Sequence, residues 1–193
     1  GNILIGTNES GLSIFKSNRF INYSLKDGIN GKQVNALLQD SKGRFWFGTE
    51  NGISILERDG ISFKNPQYLN HENGKLPENR IKFIREDRFG NVWIATEHSV
   101  LSWADKAGQV DYNFLINGYI NQNSMVTAME IDLLDNLWIG TLHGLIVYEI
   151  NDDRVSFLST NAGIAGNDIS SLFADSKGRI WIGSNQRDLP FIM

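Results

Sequence analysis

Among the 193 residues, three histidines, a set of glutamates and five tryptophans are the types and positions that could do chemistry. His98 and His143 each stand two residues after a threonine, and Glu97 adjoins the first. Two imidazoles and a carboxylate could hold zinc. No short-spaced metal motif accompanies them, so the expectation is solvated loop side chains, with no metal and no cofactor. The absence of cysteine excludes thiol catalysis, disulfides and Cys-ligated zinc or iron–sulfur centres. Trp46, Trp93, Trp138 and Trp181 could stack on sugar rings, but each sits between apolar neighbours in a strand-like run, which reads as core. Asp40, Asp87, Asp132 and Asp175 recur in one local setting, which reads as a structural turn and not as a catalytic acid. No nucleophile, base and orienting group converge in the sequence, so no catalytic residue is assigned.

These residues are positioned by a repeat. The four tryptophans are 47, 45 and 43 residues apart, a spacing that suits four-stranded propeller blades. Each follows an Asp-x-x-Gly turn, with Gly43, Gly90 and Gly178 at the position that favours positive φ and Asp135 replacing glycine in the third copy. A truncated copy opens the chain, with Leu4 in the tryptophan position; Trp103 is outside the register. Strand-length runs precede the aspartates at 34–39, 81–86, 126–131 and 169–174. Triplets such as Phe45-Trp46-Phe47 are apolar on both faces, as central strands covered on two sides must be. Gly48, Ala95, Gly140 and Gly183 follow, where a larger side chain would block close approach. A third strand starts near Gly52, Ser99 and Gly144, and a more polar fourth covers 60–65, 109–114 and 154–159. Polar loops are expected over 66–79, 115–123 and 160–167, and no helix.

The fold class is therefore all-β: antiparallel four-stranded propeller blades, about four to five of them, cut from a larger ring. The whole of 1–193 reads as one domain or fragment, with repeat units near 1–30, 31–79, 80–123, 124–166 and 167–193. A start at Gly1 without a signal peptide reads as a piece of a longer protein. Exposed blade faces would pair with the remaining blades or with a second copy. A net charge of −4 lacks the basic footprint of a nucleic-acid binder. No run approaches the roughly 20 apolar residues that span a bilayer.

The pattern Asp-x-x-Gly-x-(Leu/Ile)-Trp-Ile-Gly-Thr-x-x-Gly-(Leu/Ile) resembles the two-component regulator propeller repeat, and Leu76-Pro77-Glu78-Asn79-Arg80-Ile81 resembles its inter-blade linker. Gly163 to Ile169 is a looser linker, with Ala165 in place of proline. The resemblance implies a seven-bladed ring in the periplasmic sensor region of a hybrid histidine kinase, where oligosaccharides bind and no catalysis occurs. The candidate ligand residues are Glu50, Asn51, Arg80, Glu97, His98, Tyr119, His143 and Gln186, on the turns after the second strands and on the long loops that open on the same face. Two alternatives remain: a metal-dependent enzyme similar to virginiamycin B lyase, using Glu97, His98 and His143, and a propeller that only binds proteins.

Overall fold

Each repeated aspartate builds a hairpin turn. Oδ1 of Asp40 accepts the N–H of Lys42 and of Arg44 at 3.1 and 2.8 Å, and Oδ1 of Asp132 accepts those of Leu134 and Asn136 at 2.9 and 2.8 Å. Gly43 closes its turn at φ 81°, and Asp135 takes the same left-handed backbone at 59°. The computed structural model describes residues 3–60, 62–103 and 125–185, in two units that lie within 1–113 and 114–193.

The first unit holds three antiparallel sheets whose strands neighbour one another in chain order. They are β1 (Ile3–Gly6), β2 (Leu12–Lys16) and β3 (Arg19–Tyr23); β4 (Val34–Gln39), β5 (Phe45–Thr49), β6 (Gly52–Asp59) and β7 (Ser62–Leu69); and β8 (Ile81–Glu86), β9 (Val92–Thr96) and β10 (Val100–Trp103). The second unit holds β11 (Val126–Ile131), β12 (Asn136–Thr141), β13 (Gly144–Glu149) and β14 (Arg154–Leu158), then the pair β15 (Ile169–Ala174) and β16 (Ile180–Ser184). The four first strands have the bounds expected from sequence. The fourth strand expected at 109–114 and the loop at 115–123 lie outside the described residues.

Two expectations are corrected. The loop assigned to 66–79 begins later, because β7 runs on to Leu69. A register shift opposite Ile55 and Glu57, with Asn65 at φ 53°, lets an outer strand accommodate Pro66. Two single 3-10 turns, Leu25–Asp27 and Thr160–Ala162, occur where no helix is expected; one turn is too short to show periodicity. A bulge at the second residue of every first strand was also not foreseen; the shifts fall between Val34 and Ala36, Ile81 and Phe83, Val126 and Ala128, and Ile169 and Ser171.

Alternation along β5 explains its apolar triplet. Phe45 and Phe47 pack with Leu12, Ile14 and Tyr23 of the preceding sheet. Trp46 points the other way, into a cluster with Ile81, Ile84 and Ile94 of the following one. The sheets meet closely: a Cβ on Gly48 would lie 2.5 Å from Ile81 Cγ2, and one on Gly140 would lie 2.6 Å from Ile169 Cγ2.

Every repeat tryptophan donates its indole N–H to the aspartate six residues earlier, at 2.8 Å for Trp46, 3.0 Å for Trp93, 2.8 Å for Trp138 and 3.0 Å for Trp181. Trp46 and Trp93 are 0% and 4% exposed, and Trp138 is partly buried against Ile169 and Leu172. Trp181 is 56% exposed, so the core expectation fails for this copy: the described residues put no following sheet over it. Trp46→Ala should therefore cost about 3–5 kcal/mol, as for buried large aromatics. Trp181→Ala should cost no more than about 1–2 kcal/mol. Urea unfolding of the two variants measures this, and equal losses would contradict the covering role of the following sheet.

The turns also set a pH dependence. Burial is the largest single influence on Asp132 and pushes its carboxyl up. Hydrogen bonds from the Asn136 N–H, the Trp138 indole, the Asn136 amide and the Leu134 N–H together outweigh it, so the group sits below the ordinary aspartate value. A carboxyl depressed in the folded state stabilises fully above its unfolded pKa of about 3.9, and that contribution is lost as pH falls below it. The urea midpoint should accordingly drop below about pH 4, with a shallower drop in Asp132→Asn. An identical slope in the variant would remove Asp132 from the account.

Candidate functional site

The turns after the second strands are built on a threonine. Thr49, Thr96 and Thr141 donate Oγ–H to the carbonyls of Gly52, Ser99 and Gly144 at 3.0, 3.3 and 2.9 Å. Their hydroxyl oxygens accept the N–H of Asn51, Ser99 and His143 in return. This closes the hairpin and leaves the two residues after each threonine at the tip. In the first unit these tips lie against the linkers that lead into their own sheets, so turn and linker do share one end of the sheet.

Glu50 is committed to the scaffold. Its Oε1 accepts the N–H of Lys32 and its Oε2 that of Gln33, both at 2.9 Å. Asn51 is likewise engaged: its side-chain amide donates to the Asn30 carbonyl at 3.1 Å, and that of Asn30 donates to the Asn51 carbonyl at 2.9 Å. Asn30 Oδ1 also accepts from the Ser54 hydroxyl at 2.9 Å and lies 3.0 Å from Thr49 Oγ1, as an alternative acceptor for that hydroxyl. Asn30 was not singled out in the sequence, where it stands alone in a short linker.

One sheet further on, candidates come together with looser ties. Arg80 Nη1 lies 3.8 Å from Glu97 Oε1, and His98 Nδ1 lies 3.3 Å from Glu78 Oε2. Glu78 completes this group and was missed, since a linker glutamate gives no signal of its own. Asn79 holds the loop before it, accepting the His71 N–H at 2.7 Å and donating to Glu72 at 2.8 Å. Asn167 repeats the first of these bonds with Thr160 at 2.8 Å. His143 sits exposed at a tip of the second unit. Tyr119 and Gln186 lie outside the described residues. Among the described residues, no three His, Cys, Asp or Glu side chains are grouped to hold a metal ion. The opposite ends of the sheets carry the Asp turns, and there Glu86 accepts from the Ser41 N–H and hydroxyl, both at 2.7 Å.

The linker, the Asp turn and the second-strand tip recur as one unit, and the two-component regulator propeller repeat matches it at residues 28–51, 75–98 and 163–186. The chain carries two-component regulator propeller repeats. Over 79 residues, 39% of the chain, it is 30% identical to histidine kinase P4 of Formosa agariphila, of which the match spans 6%. A solved extracellular domain, from a protein described as a hybrid two component system of B. thetaiotaomicron, superposes with a TM-score of 0.74 at 25% identity. That match covers 95% of this chain and 25% of the other. Streptogramin B lyase superposes with a TM-score of 0.67 at 18% identity, over 94% of this chain and 58% of the lyase, a likeness of fold alone. The chain thus spans a small part of its kinase relative and a quarter of the solved sensor domain.

The two glutamates of these regulator propeller repeats should behave differently. Glu50→Gln breaks a bidentate hold on two backbone amides and should cost about 1–2 kcal/mol. Glu97→Gln removes a long, solvent-facing pair and should stay within about 0.5 kcal/mol of the parent. Thermal or urea denaturation tests both, and equal losses would mean that Glu97 is also part of the scaffold.

Proposed function

We propose that the chain is the ligand-sensing propeller segment of a two-component signal-transduction sensor. It works in the periplasm and recognises an oligosaccharide without transforming it. The observation that carries this reading is the repeat itself, matched three times, together with 25% identity to a domain described as extracellular. The local match to a histidine kinase supplies the signalling context. The described residues contain no helix long and apolar enough to cross a membrane. The five repeat units belong, in this reading, to one propeller completed by further blades.

The ligand end of each unit is the one that carries its threonine tips, Thr49 and Thr96 in the first unit and Thr141 in the second. Arg80 and His98 are exposed at that end of the first unit and His143 at that of the second, and each offers donors or acceptors suited to sugar hydroxyls. Glu50 and Asn51, tied to the linker, shape this face. Calorimetric titration of the parent sensor with a panel of oligosaccharides tests the reading. Arg80→Ala and His143→Ala should each weaken binding about tenfold, the loss of one good hydrogen-bonding anchor. Binding that survives both changes, but is lost with Lys42→Ala and Lys177→Ala in the Asp turns, would move the ligand to the other end. A protein partner in place of any glycan would favour the interaction-module reading.

A further inference from the structure

Two consecutive sheets of the first unit build the same corner from different residues. Val34 pairs with Thr49 and Ile81 with Thr96, so Gly31, Lys32 and Gln33 correspond in register to Glu78, Asn79 and Arg80, and Glu50 corresponds to Glu97. In the first corner the Glu50 carboxylate sits on the adjacent N–H groups of Lys32 and Gln33. The absence of a side chain at residue 31 permits this: a Cβ on Gly31 would lie 2.6 Å from Glu50 Oε2 and 2.5 Å from Thr49 Oγ1. In the second corner Glu78 stands at that place, and a Cβ is present. Glu97 does not take the N–H groups of Asn79 and Arg80, and no acceptor for either occurs among the described residues. Its carboxylate is 3.8 Å from Arg80 Nη1, too far for a hydrogen bond, and the Arg80 side chain is 52% exposed. Glu78 itself turns aside to His98.

We propose that this second corner is a carboxylate-binding subsite. A ligand carboxylate takes the place that Glu50 fills in the first corner, on the N–H groups of Asn79 and Arg80, with the Arg80 guanidinium as counter-ion. Adjacent backbone amides beside a guanidinium are anion-binding chemistry. The neighbouring corner identifies the anion, since it already holds a carboxylate on the corresponding pair of amides. Glu97 then acts as a resident competitor, whose negative charge tunes the affinity for the incoming group.

The inference rests on the ligand-binding reading of this face, but it fails separately. The experiment is an amide-resolved NMR titration of the parent sensor, isotope-labelled at Asn79 and Arg80, with D-glucuronate, N-acetylglutamate and D-glucose. The Asn79 and Arg80 amides should shift with a carboxylate and not with glucose. Response to glucuronate alone points to an acidic sugar, response to N-acetylglutamate alone points to an acidic peptide, and either supports the subsite. Arg80→Ala should weaken binding about tenfold. Glu97→Gln should tighten it, whereas a hydrogen-bonding role for Glu97 toward a neutral sugar predicts the reverse. Glu78→Gly, which lets Glu97 fall into the clasp as Glu50 does, should abolish binding while the rest of the spectrum stays in place. The proposal is overturned if glucose gives the same shifts, if neither carboxylate moves these amides, or if Glu78→Gly leaves affinity unchanged. Binding of glucose at this corner without the carboxylates would leave the ligand face standing and remove the subsite.

Discussion

The carboxylate of each repeated aspartate is where the structure is tied together. One oxygen gathers two backbone N–H groups and so shapes the turn between the first and second strands. The other oxygen receives the indole of the tryptophan that faces the next sheet, and with it the side chain four residues on, Arg44 through Nε at 2.7 Å or Asn136 through its amide at 2.9 Å. A polar atom is thereby drawn under a large aromatic surface without being left unpaired, which in an apolar interior would cost more than the bond contributes. Turn geometry, strand register and inter-sheet packing all meet at that carboxylate.

The remaining contacts extend this joint to both ends of the sheets. At the Asp-turn end, Glu86 reaches back to Ser41. At the other end, Asn35, the bulged residue of β4, donates to the Ile81 carbonyl at 3.0 Å. Between them lies the contact of Gly48 with Ile81, where the missing side chain sets the separation of the sheets. The end that faces the proposed ligand is held mainly by backbone amides and a few committed side chains, so exposed residues such as Arg80 can vary without disturbing the frame.

Sequence made the periodic features readable because they are local. The four first strands, the turns and the both-faced burial of Phe45-Trp46-Phe47 follow from alternation and from the preferences of aspartate and glycine. The bulges were not legible, since a single extra residue leaves no compositional mark. The burial of Trp181 was misjudged because cover comes from a neighbouring sheet and not from the motif itself. At the candidate site, chemistry alone grouped Glu50 with Glu97. Their different fates depend on what stands 19 residues earlier, Gly31 or Glu78, a relation that appears only once the linker is seen against the tip.

The alternation along β5 gives its sheet two different sides, with Trp46 toward its successor and Phe45 and Phe47 toward its predecessor. The contacts seen between consecutive sheets are of this heterologous, head-to-tail kind. Phe173 and Trp181, paired across β15 and β16 and exposed, present the tryptophan-bearing type of surface. At the equivalent surface of the first unit, the aliphatic first strand of the next sheet covers Trp46 through Ile81 and Ile84. The stacking of one sheet on the next therefore has a direction set by the strand alternation.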